Sequence, residues 1–348
     1  MLTVKFTPYR QSLGTIYARQ TPSGSLMSRD GRYRFVLDDS IREADFWVVQ
    51  GKGIRQPASC RVAPENTLMF ATEPPSVLVY PKKYLRQFGH AFTCQETIGR
   101  LPNEHSSFPL LPWFVGFSQQ PDRSCSYSLD YDQLKAMPLD DEKPKLISVI
   151  TSNKAFTRGH LDRIRFVQRL KEHFGNRIDV FGRGFNGFAD KWDVLRPYRY
   201  HIAIENSSQP YYWTEKISDC YLAGCFPFYH GCTNLADYFP QDAFCPIDIR
   251  KPDEAIHTIE LMLQQDVRAQ RSKAMAESRR LVLDVYNMFE HVARVCDSLN
   301  PDAPKQEVTI KPCQSGRQWH NLRNYLFTRN YYQVLNLVPH ISYLDYVS

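Results

Sequence analysis

Midway along the chain, the stretch IENSSQPYYWTEK (residues 204–216) gathers two acids, two amides, three aromatics and a lysine within thirteen residues. A core strand or a solvated loop has little use for that mixture, whereas a site for a polar anion does. If a strand ends at Glu205 and Asn206 and a helix starts after Thr214, backbone N–H groups and Lys216 meet at a helix N-terminus, where anions bind. Glu215 can accept hydrogen bonds from sugar hydroxyls, Tyr212 can donate one, and Asn206 can do both. The chemistry fits a ligand that combines a phosphate with a polyol. The competing reading is a capped helix with an adjacent charge pair on a wet surface.

Two further features point the same way. Between Lys154 and Arg199 there are 11 Lys/Arg against 5 Asp/Glu, with Arg158, Arg163 and Arg165 at the front of one helical pattern. Guanidinium groups so placed suit a diphosphate, which they bind bidentately. The turn Gly182-Arg183-Gly184 allows the backbone to approach a ligand closely. Glu73, in FATEPPS, follows an apolar strand and precedes two prolines. A carboxylate held that rigidly is a candidate general base, the alternative being a surface turn acid.

No metal site is expected. The acids of Asp130-Tyr131-Asp132 lie in a loop-rich linker, and the ten histidines are scattered. Cys220, Cys225, Cys232 and Cys245 are spaced by 5, 7 and 13 residues, which matches no zinc module. A divalent metal is expected to be at most stimulatory, and no cofactor is required.

The elements that must position these residues are legible in outline. KLISVIT, RIDVF, YRYHIAI and CFPFYH read as strands. GHLDRIRFVQRLKEHFG places Leu161, Ile164, Val167, Leu170 and Phe174 on one helical stripe that stops at Gly175, and TEKISDCYLAG reads as a helix closed by Gly224. Upstream, LTVKF, ADFWVVQ, TLMFAT and HAFTCQ read as strands, with a short helix in YPKKYLRQF. Residues 253–299 read as two helices. Strand–helix alternation predicts an α/β fold with parallel sheets, whose ligands sit beyond the carboxyl ends of the strands. The expected division is 1–140 for a first domain and 141–300 for a second. Residues 301–348 would form an extension that packs back on the core or faces a membrane.

Composition narrows the class. An apolar fraction of 43% and an aromatic fraction of 13% describe a globular protein. The net charge of +6 suits an anionic ligand, but the cations are not interleaved with aromatics as a nucleic-acid platform requires. No signal peptide is read at the N-terminus, and no apolar run approaches the ~20 residues that span a bilayer. Nine cysteines without a C-x-x-C pair suit a reducing compartment. The expectation is a cytoplasmic protein, with a peripheral membrane contact open to it.

The segment YRYHIAIENSSQPYYWTEKISDCYLAGCFPFYHGCTNLADYFP closely resembles the donor-binding signature of family 10 glycosyltransferases, the α1,3/4-fucosyltransferases. SNKAFTRGHLDRIRFVQRL and FATEPPS resemble further stretches of that family. The likeness is strong over about residues 146–250 and weaker over 60–116. It implies a GT-B fold of two Rossmann-like domains, 1–140 binding the acceptor and 141–300 the GDP-sugar, with the site in the cleft between them. It also implies inverting transfer of L-fucose from GDP-β-L-fucose to an acceptor glycan, without a metal in the catalytic step. Arg163 and Lys216 match the family's diphosphate-binding cations, Glu215 its ribose-binding residue, Asn206 and Tyr212 further donor contacts, and Glu73 its general base. The loop SQPYYW departs from the charged or glycine-rich loop of many members. Another nucleotide sugar on the same fold, or a sugar-nucleotide binder without catalysis, are the alternative readings.

Overall fold

The computed structural model of the chain describes residues 1–10, 14–38, 40–95, 100–119, 124–139, 142–152 and 158–314. Its first half is built on six parallel strands: β1 (Leu2–Thr7), β2 (Tyr33–Val36), β3 (Phe46–Gln50), β4 (Thr67–Phe70), β5 (His90–Thr93) and β6 (Glu104–Ser106). They lie in the order β2-β1-β3-β4-β5-β6. The second half has five: β7 (Lys145–Ile150), β8 (Ile178–Phe181), β9 (Tyr198–Ile204), β10 (Phe226–His230) and β11 (Cys245–Pro246). Their order is β8-β7-β9-β10-β11, again all parallel.

Both sheets therefore share one winding: the second strand is laid to one side of the first and the third to the other. This reverses the strand order between β1 and β3, and again between β7 and β9. Such switch points open a crevice at the carboxyl edge of the sheet, because the connections on either side leave in opposite directions.

The apolar runs make these strands because both of their faces are buried, as parallel sheets require. All five residues of β3 are buried. Phe46 and Val48 join a core with Val4, Phe6, Phe35, Leu68 and Phe70, while Trp47 and Val49 join another with Met69, Ala71 and Ala91. The second sheet is covered by Arg158–Phe174 and Pro252–Gln264 on one face and by Glu215–Ala223 and Ser272–Asp284 on the other. The expected α/β architecture of two Rossmann-like halves is the one observed.

Three regions differ from the sequence reading. The linker expected to be loop contains a helix, Tyr131–Ala136, started by a capping box between Asp130 and Gln133, and a hairpin pairing Phe117–Gln119 with Cys125–Tyr127. The two helices expected after residue 253 are four segments, Pro252–Gln264, Val267–Gln270, Ser272–Asp284 and Met288–Cys296. Asp266 adopts a left-handed φ of 47° that ends the first, and Asn287 caps the last by accepting from Phe289 N at 3.0 Å. Met288–Cys296, placed by the sequence reading with the second domain, buries Phe289 and Val292 in the core of the first sheet. Beyond it, Gln306–Ile310 pairs antiparallel with Ala58–Val62 of the first half. Residues 315–348 lie outside the described residues.

Candidate active site

The β7–β9 switch point is bridged by one side chain. Arg163 emerges from the first turns of helix Arg158–Phe174 and is 5% exposed. It donates to Asn206 Oδ1 at 3.0 Å, just past the end of β9, and to Ser152 Oγ at 3.2 Å, just past the end of β7. Its Nε has no partner, and no carboxylate lies within ion-pair distance of it among the described residues. Burial pushes its pKa down to about 10, against the pull of Tyr212 and Glu205. A buried guanidinium that spends its bonds on neutral oxygens and keeps a donor in reserve is costly by itself and is what an anion site requires. Gly182, at the end of β8, closes the adjacent side. Its φ is 118°, and a Cβ there would lie 1.8 Å from the carbonyl oxygen of Thr151, so only glycine fits. Gly184 also has a positive φ, 85°.

On the other side of the switch point the opening motif folds into a charged knot. Thr214 caps helix Glu215–Ala223, and Gly224 ends it with a φ of 72°. The side chain of Glu205 is fully buried; it accepts from Thr214 N and from Thr214 Oγ1, each at 2.9 Å, and pairs with Lys216 Nζ at 3.2 Å. Burial raises the pKa of Glu205 against the pull of Lys216. Burial also disfavours the Lys216 ammonium, yet Glu205 and Glu215 more than offset it and raise its pKa. Glu215 lies 3.4 Å from Lys216 and 3.6 Å from Lys191. These cations outweigh its burial and lower its pKa to about 2, so it is an ionised acceptor at neutral pH.

Lys191 in turn pairs with Asp219 at 2.7 Å, and Asp219 accepts from the backbone N–H of Phe114 at 2.8 Å. Sequence reasoning missed Glu205, Lys191 and Asp219 as parts of the site. Glu205 carried a signal, an acid closing an apolar strand nine residues before a helix cap. The Lys191–Asp219 contact joins residues 28 apart, which spacing does not reveal.

Between the halves stands Tyr212, 1% exposed. Burial raises its pKa, and so, to a smaller extent, do the carboxylates of Glu205, Glu73 and Glu215. The preceding Tyr211 has a φ of 63°, rare for a bulky residue, held by its N–H donating to Asn234 Oδ1 at 2.7 Å. Trp213 turns away from this group into an aromatic cluster, stacked on Phe108 with ring centroids 4.3 Å apart. Trp213 therefore joins the halves through this cluster.

Glu73 follows β4 at the carboxyl edge of the first sheet. Its carbonyl accepts from Gln95 Nε2 at 3.1 Å. Three residues on, Ser76 Oγ meets Ser207 Oγ at 2.5 Å, and Gln209 Nε2 donates to Cys94 O at 2.8 Å. The Glu73 loop and the loop after β9 are thus in contact across the halves. An open cleft of about 710 Å³ continues from that loop over the ends of β10 and β11, past Ser208, His230, Asp248 and Arg250.

Of the other residues singled out in sequence, Arg165 is exposed on the far side of its helix, and the side chain of Arg158 lies outside the described residues. Asp130 caps a helix, and Asp132 accepts from Ser23 N at 2.6 Å; neither faces the site. Among the described residues, no group of three or more His, Cys, Asp or Glu could hold a metal ion. None of the nine cysteines is in a disulfide, and all but Cys125 are buried. No helix of the described residues is long and apolar enough to cross a membrane.

Parts of the chain are similar to known proteins. The chain is 31% identical to a 4-galactosyl-N-acetylglucosaminide 3-alpha-L-fucosyltransferase of Pongo pygmaeus over 111 residues, 30% of each protein. It is 32% identical to alpha-(1,3)-fucosyltransferase 4 of Bos taurus over 93 residues, 25% of this chain and 23% of that one. The matched part thus spans under a third of either relative. An alpha1,3-fucosyltransferase crystal structure aligns over 85% of this chain and 88% of its own, with 16% identity and a TM-score of 0.49. Residues 140–309 match the model for the C-terminal part of glycosyltransferase family 10 (fucosyltransferase).

Proposed function

We propose that this protein transfers L-fucose from GDP-β-L-fucose to a hydroxyl of an acceptor glycan, the 3-position of N-acetylglucosamine or glucose being the first candidate, with inversion at the anomeric carbon. The observation that carries the reading is Arg163: a buried cation at a switch point, without a carboxylate partner among the described residues and with an unsatisfied N–H. The family match over residues 140–309 and the fucosyltransferase names of the partial relatives support the choice of sugar.

In this mechanism the diphosphate lies between Arg163 and the start of helix Glu215–Ala223, where Lys216 and the positive end of the helix dipole stand. Glu215, ionised, accepts from the ribose hydroxyls, and Asn206 and Tyr212 hold the donor further along. As the anomeric C–O bond breaks, both electrons leave with GDP, and its charge grows beside Arg163 and Lys216. Donors fixed in advance where charge develops are the strongest catalytic device; removing one costs about 10²–10³ in rate. Glu73 takes the acceptor proton while the acceptor oxygen attacks the face opposite GDP, through an oxocarbenium-like transition state. One displacement turns a β-linked donor into an α-linked product.

The test pairs binding with turnover. Thermal melts with GDP, GDP-fucose, GDP-mannose and UDP-sugars should show a shift with GDP and a larger one with GDP-fucose, because ligands of the folded state stabilise by mass action. Glu73→Gln should keep both shifts and abolish transfer to glycan acceptors. Unchanged transfer in that variant removes Glu73 as the base; a larger shift with another sugar nucleotide keeps the site and replaces the sugar.

A further inference from the structure

The loop that carries Glu73 is held on both sides of that residue. Just before it, Thr72 N donates to Tyr80 OH at 3.2 Å. Just past β5, the side-chain amide of Gln95 donates to Glu73 O at 3.1 Å and to Leu78 O at 2.6 Å, and so ties together the two ends of residues 73–78. Gln95 is buried, and its own N–H donates to Thr93 Oγ1 at 2.9 Å. Within the loop, Val77 N and Leu78 N both donate to Pro74 O, at 2.9 and 3.0 Å. The residue before Gln95 meets the opening motif: Gln209 Nε2 donates to Cys94 O at 2.8 Å. Gln209 lies three residues after Asn206, which accepts from Arg163, and Gln209 O accepts from Thr233 N at 3.3 Å beyond β10. Two amides, Gln209 and Gln95, therefore connect the Arg163 side of the cleft to the backbone of Glu73.

A general base must stand within hydrogen-bond reach of the proton it takes, and a misplacement of about 1 Å costs about 10²-fold in rate. Pro74 and Pro75 stiffen the loop but leave its direction to whatever holds its ends. We infer that Gln95 and Gln209 are positioning residues for Glu73. Gln95 sets the direction of the loop, and Gln209 ties that loop to the segment following Asn206, so that base and donor side keep one register. Both act through the backbone, and neither is assigned a contact with the substrates. The inference rests on the function proposed above, in which Glu73 is the base and Arg163 marks the donor side. The alternative is a purely structural role, which would lower stability and leave the turnover of each folded molecule as it is.

The test joins hydrogen exchange on the ligand-free full chain to steady-state kinetics with GDP-fucose and two acceptors, N-acetyllactosamine and lactose. Gln95→Met and Gln209→Glu keep the length of the side chain and remove the donor, whereas Gln209→Lys keeps a donor. In Gln95→Met and Gln209→Glu the amides of Val77 and Leu78 should exchange about tenfold or more faster. In both, kcat per GDP-binding site, counted by titration with GDP, should fall about tenfold to a hundredfold, with KM for GDP-fucose within about twofold. Gln209→Lys should keep exchange and kcat close to those of the unaltered chain. A GDP-induced melting shift in each variant shows that it is folded. Gln209 is half-buried, so its variants carry the test where Gln95→Met fails to fold. Unchanged exchange at Val77 and Leu78, faster exchange with kcat per site unchanged, or Gln209→Lys failing as Gln209→Glu does overturns the inference. Absence of transfer to either acceptor by the unaltered chain would instead sink the proposed transfer to these sugars. The exchange rates, measured without donor or acceptor, would still decide whether the two amides hold the loop.

Discussion

At the scale of single residues, Arg163 sets function against stability. Its burial without a carboxylate partner among the described residues costs folding energy that only a bound anion offsets. Replacing a buried charge by an apolar side chain of similar length is often neutral or stabilising, by about 1–4 kcal/mol. Arg163→Met should therefore leave the melting temperature of the ligand-free protein unchanged or raise it, while removing the shift induced by GDP. A large loss of ligand-free stability with the GDP shift intact would make Arg163 a structural residue. Glu205 behaves oppositely. It holds Thr214 N, Thr214 Oγ1 and Lys216 at once, so Glu205→Ala should weaken both the fold and the GDP response.

Elements explain which parts of this were readable. β7, β9 and the helices Arg158–Phe174 and Glu215–Ala223 follow from local signals, namely apolar runs, a stripe, a threonine cap and closing glycines. The residues of the motif fall on their ends as expected. What the sequence concealed is pairing at a distance: Lys191 with Asp219, Ser76 with Ser207, and the return of Met288–Cys296 to the first sheet. An amphipathic helix shows that it has a partner without showing which one.

Two histidines at element contacts lead to a prediction on pH. His201 of β9 hydrogen-bonds Ser148 of β7 at 2.8 Å, and His291 meets Ser107 at 3.2 Å. Burial, with a smaller push from Lys191 and from Arg294, lowers both pKa values to about 3. Unfolding restores an ordinary value near ~6.5, so below that pH the unfolded chain takes up protons that the folded chain refuses. Stability should hold above pH ~6.5 and fall as the pH drops below it, by roughly 1 kcal/mol per histidine between pH 7 and 5.5. Urea melts across this range check it, and a flat profile would mean that the rings are accessible in the folded state.

At the scale of the whole molecule, the two halves are linked by more than one stretch of chain. The polypeptide leaves the first half near residue 140, builds the second, and returns so that Phe289 packs 4.8 Å from Phe35 and 5.5 Å from Phe6, ring centre to ring centre. Ile310, fully buried, completes the opposite face of the first sheet. In the proposed mechanism a donor site on one half and a base on the other must keep their register, because near-attack geometry tolerates little misplacement. A return helix anchored in the first core ties the orientation of the halves to the packing of that core. Phe289→Ala should remove about 3–5 kcal/mol, the usual loss for a large buried aromatic. Hydrogen exchange locates the damage: β1, β2 and β3, far upstream in the chain, should lose protection while β7 and β9 keep theirs. If the GDP-induced melting shift then survives while fucosyl transfer falls, the return helix holds the acceptor half in place against an intact donor half. Loss of protection in β7 and β9 as well would mean that the two sheets open as one unit.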